Sequence, residues 1–193
     1  METMTGRQTS EAALGGLTIE KVWEAMMEDR QQIQELKSNM DASQRRIEKN
    51  LGGLGNSLGE FVESMFLAQL YKKFDKYGYT FTKQANQQVM YKDGRPLTEA
   101  DSVLENGEYV MLVEIKTKMR NDFVDEHLAR MEIFRQYMDE RGDSRKIIGA
   151  VAGGTVPPEV LRYAQKHGLY VAVLNGETVS VADSPEGFKL RER

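Results

Sequence analysis

The sequence predicts a mixed α/β domain preceded by a long coiled-coil helix, and three observations carry that prediction. A seven-residue repeat of Ile, Met and Leu runs from Ile19 to Leu54 without a proline. Two turn dipeptides, Asp93-Gly94 and Asn106-Gly107, punctuate runs of β-formers. Beyond them a helical pattern, an apolar run, a helix opened by prolines and a second apolar run alternate towards the C-terminus.

Residues 1–16 are polar, contain Gly and Thr and show no period, so they read as a flexible tail. Residues 17–54 form the predicted coiled coil. Ile19, Met26, Ile33, Met40, Ile47 and Leu54 take one seam position, and Val22 and Leu36 fall on its companion. Asp29, Ser43 and Asn50 fill the remaining companion positions, so the seam is imperfect. The alternative is one amphipathic helix folded back on its own domain. A single narrow stripe buries little area for so long a helix, which favours self-association into a homo-oligomer.

Leu51 to Glu60 carries four glycines and reads as a hinge, or as a helix thinned for close packing. Residues 55–193 make the α/β domain. It opens with a helix to about Lys76, whose buried stripe is Leu58, Val62, Met65, Phe66 and Leu70, closed by Gly78. An antiparallel three-stranded meander is expected over about 86–117, then a helix from Asn121 to Arg141. A buried strand from Lys146 to Ala152, a helix opened by Pro157-Pro158 and a strand from Tyr170 to Leu174 follow. Thr178 to Val181 is an edge strand, and the charged C-terminal end is expected to fray.

Composition narrows the chemistry. The chain of 193 residues is 40% apolar and 29% charged, which permits a sizeable core. There is no apolar run of about 18 residues and no basic start followed by an apolar block, so neither a membrane span nor a secretion signal is expected. The absence of cysteine excludes disulfides, thiolate zinc sites and cysteine nucleophiles, and suits a cytoplasmic location. With two histidines, any metal must be held by carboxylates, which favours Mg²⁺ or Mn²⁺. A formal charge of −4 argues against coating nucleic acid by bulk attraction but leaves room for a local basic groove.

The hairpin at Asn106-Gly107 gathers the charges. As a two-residue loop it pairs Glu105 with Glu108, Asp101 with Leu112 and Glu99 with Glu114. Glu99, Asp101, Glu114 and Lys116 then share one face, while Val113 and Ile115 face a core. Asp101 and Glu114 become diagonal neighbours about 7–8 Å apart, close enough to lean onto one cation. Opposed carboxylates repel, and Lys116 with a bound Mg²⁺ would relieve that repulsion. A solvated face of charges accounts for the same pattern.

Ala100-Asp101, twelve residues, then Glu114-Ile115-Lys116 resembles the signature of the PD-(D/E)XK nuclease superfamily. Glu99-Ala100-Asp101 with Leu112 to Lys118 resembles the forms found in resolvase-like and uncharacterised prokaryotic members, and a coiled-coil segment before a nuclease-like domain is similar to a family of uncharacterised prokaryotic proteins. The resemblance covers about residues 55 to 175 and implies a restriction-endonuclease-like αβββαβ core. It also implies Mg²⁺-dependent phosphodiester hydrolysis of nucleic acid, DNA first, with Asp101, Glu114 and the Ile115 carbonyl as metal ligands and Lys116 catalytic. Ala100 stands where the name-giving proline would be.

The remaining candidates each have a second reading. Glu60 matches the superfamily's first-helix carboxylate, yet Ser57-x-x-Glu60 also reads as a capping box; Glu63 stands one turn later. Lys118, Arg120 and Arg130 are candidate phosphate contacts, or solvated charges. His127 either meets a phosphate or is a surface residue. Lys72, Lys73 and Lys76 suit a helix C-terminus without any ligand. Gly153-Gly154-Thr155 lacks the Lys-Ser/Thr of a nucleotide loop. A catalytically inactive nuclease-fold scaffold, binding or regulating rather than cutting, is the alternative function.

Overall fold

The computed structural model describes residues 18–193; the predicted tail lies outside them. The chain divides into two units, Met1–Leu54 and Gly55–Arg193. Helix α1 is Ile19–Lys73. In the first unit the predicted seam residues are exposed, Ile33 by 65% and Met40 by 68%. Gly52, Gly53, Gly55 and Gly59 all lie within α1, so the expected hinge is replaced by continuous helix. Glycine in a helix costs about 1 kcal/mol, far less than proline, and does not by itself end one. An added Cβ at Gly52, Gly53 or Gly55 would meet nothing within 4 Å, so packing within the chain does not demand these glycines. Continuity also removes the capping box, because Ser57 sits in mid-helix.

In the second unit a six-stranded sheet is ordered β1-β2-β3-β4-β5-β6. The strands are β1 Lys83–Lys92, β2 Arg95–Glu105, β3 Tyr109–Lys118, β4 Lys146–Thr155, β5 Tyr170–Asn175 and β6 Thr178–Val181. The first three form the antiparallel meander, β3, β4 and β5 run parallel, and β6 returns antiparallel. Helices α2 (Asn121–Asp139) and α3 (Pro158–Lys166) make the two parallel crossovers. This is the predicted order of elements.

Both sheet faces are covered. Val62, Phe66 and Leu70, spaced by one turn on α1, pack with Phe74 on Met111, Val113 and Ile115 of β3. Leu58 is 49% exposed and falls outside that stripe. Gly154 lets α1 close onto the sheet: a Cβ there would lie 2.8 Å from the Thr117 carbonyl and 3.4 Å from Val62. The helix ends at Lys73, one 3₁₀ turn follows, and Gly78 at φ 87° closes it as expected. On the other face Val124, His127, Met131, Phe134 and Met138 of α2 are buried. They pack with Val103, Val110, Leu112 and Val151, His127 lying beneath β3.

The C-terminal end does not fray. Arg193 and Ile147 exchange two backbone hydrogen bonds of 2.9 Å, and the Arg193 side chain is only 4% exposed beside Glu132. A second tie holds the far end of the hairpin. Arg145 reaches Asp143 at 2.6 Å and Glu105 at 2.7 Å, and Lys83 meets Glu105 at 3.0 Å. Burial raises the Glu105 pKa, but hydrogen bonds from Arg145 and Lys83 outweigh it and leave the group below 4.5. The Arg145 hydrogen bond likewise holds Asp143 below 3.8. Depressed carboxylates stabilise the fold above their ordinary pKa, and that stability is lost as pH falls through the folded value. Arg145→Met is therefore expected to weaken the protein at neutral pH in urea melts, with the difference from wild type closing below about pH 4. A difference undiminished at about pH 3 would show that Arg145 acts by packing instead.

Candidate functional site

The two turn dipeptides behave differently, and the difference places the site. Asp93 (φ 52°) and Gly94 (φ 74°) both take the left-handed region, joining Lys92 to Arg95 in the expected two-residue turn. Gly107 is not among the residues of positive φ, so the same turn cannot form there. Instead the Asn106 side-chain oxygen accepts from the amides of Glu108 (2.9 Å) and Tyr109 (2.7 Å). Glu105 consequently pairs with Val110, not Glu108, and the register moves by two residues. A shift of two preserves which side chains share a face. Continued past Ser102–Val113, it brings Asp101 across from Glu114 and takes Glu99 off that position.

The β2–β3 pairing ends at Ser102–Val113. Beyond that point the Asp101 carboxylate takes the strand's place, its Oδ2 accepting from the Ile115 amide at 2.7 Å. On the other side of β2, Gln87 is the residue in register with Asp101, and it interrupts the β1–β2 ladder at φ 49°. A non-glycine residue held in the left-handed region costs about 1–3 kcal/mol and tends to mark functional sites. The sheet is thus opened at Asp101 on both edges.

Into this opening projects Lys116. Its Nζ lies 2.6 Å from Glu114 Oε1, an ion pair whose angle is poor for a hydrogen bond, and 3.4 Å from Asp101 Oδ2. The Glu114 side chain is fully buried, whereas those of Asp101 and Lys116 are 26% and 31% exposed. Arg130 of α2 grips the other Glu114 oxygen, Nη1 to Oε2 at 2.8 Å. Burial, and then the Asp101 charge, raises the Glu114 pKa against the pull of Lys116 and Arg130. Burial also opposes the Lys116 charge, but its contacts with Glu114 and Asp101 prevail and hold it above the ordinary value. Lys116 is therefore held as a cation between the two carboxylates.

His127 is neither a surface residue nor a phosphate contact. It is buried beneath β3, with Nε2 3.2 Å from the Leu112 carbonyl and Nδ1 4.0 Å from Glu114 Oε2. Burial lowers its pKa to about 3, so at neutral pH the ring is uncharged and donates from Nε2. Its place was readable: Val124, His127, Met131 and Phe134 keep helical spacing, which puts the histidine on the buried stripe and Arg130 at its edge.

The other candidates are dispersed. Glu60 is exposed, and its side chain makes no hydrogen bond or ion pair with the described residues. Glu63 comes nearer the opening, its Oε1 3.5 Å from the Gln87 side-chain amide. Arg120 forks onto Asp122 at 2.7 and 3.0 Å and lies over the Phe123 ring, so its charge is already engaged. Lys118 is exposed at the end of β3. Gly153, Gly154 and Thr155 belong to β4 and form no phosphate loop.

No family model matches the chain, and no curated protein is found to resemble it. Among solved structures the chain is similar to the small subunit of a heterodimeric restriction endonuclease. The identity is 15% and the TM-score 0.32, covering 62% of this chain and 71% of that one, a likeness too slight to carry anything about chemistry.

Proposed function

We propose that the chain is a metal-dependent phosphodiesterase of nucleic acid, DNA first, whose site is Asp101, Glu114 and Lys116. One observation supports this above the others: two carboxylates from parted strands converge on a single cationic group, Lys116 Nζ, at the edge of the opened sheet. An ordinary charged strand face spreads its carboxylates into solvent and does not gather two of them on one ammonium.

The donor set fits Mg²⁺ or Mn²⁺. Asp101 and Glu114 supply hard oxygens, and the Ile115 carbonyl follows Glu114 directly in sequence. Among the described residues no group of three or more His, Asp or Glu is gathered to hold an ion. Two carboxylates with water and substrate oxygens are nonetheless the usual holding for Mg²⁺. A bound ion would offset charge on the phosphate and acidify a water. Lys116, an ammonium on a half-buried stem, donates to the phosphate oxygens or to that water and offsets charge as it develops. The Ile115 amide fixes Asp101, and Arg130 fixes Glu114 from behind.

The test is cleavage of supercoiled plasmid and branched DNA with Mg²⁺ or Mn²⁺, wild type against Asp101→Ala and Lys116→Ala. A wild type inert on single-stranded, duplex and branched substrates overturns the reading. Full burial of Glu114 under two cations favours the second reading, an inactive nuclease-fold scaffold, and inertness would support it.

The exposed stripe of α1 belongs, on the same proposal, to a second copy of the chain. The repeat Ile19, Met26, Ile33, Met40, Ile47, Leu54 stays unburied, and Phe61 extends it by one more heptad at 59% exposure. Ile33→Glu with Met40→Glu is expected to lower the mass of the full chain in light scattering. An unchanged mass would show that this seam does not drive assembly.

A further inference from the structure

Arg130 divides its guanidinium between the buried ligand and the surface. Nη1 holds Glu114 Oε2 at 2.8 Å, while Nη2 lies 3.7 Å from Glu99 and 3.9 Å from Glu126. Those outer carboxylates are 64% and 57% exposed, and ion pairs of that kind are weak and easily exchanged. The side chain is itself 26% exposed and lines a cavity of about 280 Å³ with Val89, Thr98, Glu99 and Ile133. Glu114, by contrast, has no solvent to turn to, so without a metal its charge depends on Arg130 and Lys116.

We propose that Arg130 is a positioning residue that couples metal binding to polyanion binding by moving from Glu114 to a backbone phosphate. The inference rests on the reading of Asp101 and Glu114 as the metal-holding pair. A divalent cation at Glu114 would stand beside two existing cations, and like charges in a buried setting repel strongly. Arg130 therefore competes with the metal for the Glu114 carboxylate. A phosphate in the neighbouring cavity offers the guanidinium two parallel hydrogen bonds, the geometry it favours. Drawn onto the phosphate, Arg130 leaves Glu114 to the metal and stops repelling it. Each ligand then strengthens the other by the same factor. Lys116 also stands against the metal, contacting both carboxylates, but unlike Arg130 it does not line the neighbouring cavity.

The test measures Mn²⁺ affinity of the full chain by electron paramagnetic resonance, alone and with a short phosphorothioate duplex that keeps its charge but resists cleavage. Wild type is expected to bind Mn²⁺ about tenfold more tightly with the duplex than without it. Arg130→Gln should bind Mn²⁺ alone about fivefold more tightly than wild type, bind the duplex more weakly and gain less than about twofold from it. Should that variant fail to fold, Arg130→Lys carries the test: it balances Glu114 but loses the forked grip, so its gain from the duplex must fall below that of wild type. Arg130→Gln with Mn²⁺ affinity no higher than wild type, or either variant with an undiminished gain, overturns the proposal. Mn²⁺ binding that Asp101→Asn abolishes, but that ignores both duplex and Arg130, overturns this coupling and leaves the metal site standing. No Mn²⁺ binding by wild type under either condition removes both.

Discussion

Lys116→Met is expected to reduce metal-dependent DNA cleavage by about 10²–10³-fold while leaving the fold intact. Methionine keeps the stem of the lysine and removes only the ammonium, among the described residues the one cation that contacts both Asp101 and Glu114. Glu114 and Asp101 hold the lysine above its ordinary pKa, and its expected contribution is electrostatic. Lys116→Arg should accordingly retain part of the activity, since it restores the charge though not the compact shape of the ammonium. Were Lys116 a base, arginine would fail as completely as methionine. Asp101→Asn is expected to lose at least as much as Lys116→Met, because the amide keeps an acceptor for the Ile115 N–H but brings no charge to a metal. The measurement is initial nicking rate of supercoiled plasmid at saturating Mn²⁺, with thermal melts of each variant as the control for folding. Equal rates in wild type and Asp101→Asn would detach the chemistry from this site altogether.

The same site shows what a sequence can and cannot carry. The order of elements was legible because α2, α3 and the strands keep clean periods and clear ends, as with Pro157-Pro158 before α3. That Asp101, Glu114 and Lys116 share a face was legible too, since alternation depends only on register parity. The register itself was not. Asp93-Gly94 and Asn106-Gly107 differ by one residue type, yet only the second has a side chain that captures the amides of Glu108 and Tyr109 and closes a longer loop. The glycines at 52–59 misled for a related reason: glycine permits a break without requiring one, and α1 runs through them. In the sequence Arg130 is a candidate phosphate contact or a solvated charge, and its hold on Glu114 depends on the angle at which α2 crosses β3, which no local pattern encodes. The docked end at Arg193 pairs with Ile147 across 46 residues of chain, and charged residues give no strand signal.

Phe74→Ala is expected to destabilise the Gly55–Arg193 unit by about 3–5 kcal/mol, the range for a large aromatic removed from a closed core. The ring is fully buried and meets Phe81 edge-on at 6.1 Å and Tyr170 at 5.5 Å. Tyr77 packs on the same Tyr170, so collapse into the cavity would disturb several rings at once. Its backbone carbonyl also accepts from the Tyr77 and Tyr79 amides, which an alanine preserves, so the loss is one of packing. Against a total stability of about 5–15 kcal/mol, such a change lowers the melting temperature by about 10 °C or more. Phe74 belongs to the core beneath Val113 and Ile115, whereas Glu114 and Lys116 project from the opposite face of β3. Below its melting point the variant should therefore bind Mn²⁺ as wild type does. A variant that melts normally would mean that the Phe74 site relaxes around the smaller side chain. One that melts early and also loses Mn²⁺ while still folded would mean that the two faces of β3 are coupled, and that the packing of α1 helps to set the distance between Asp101 and Glu114.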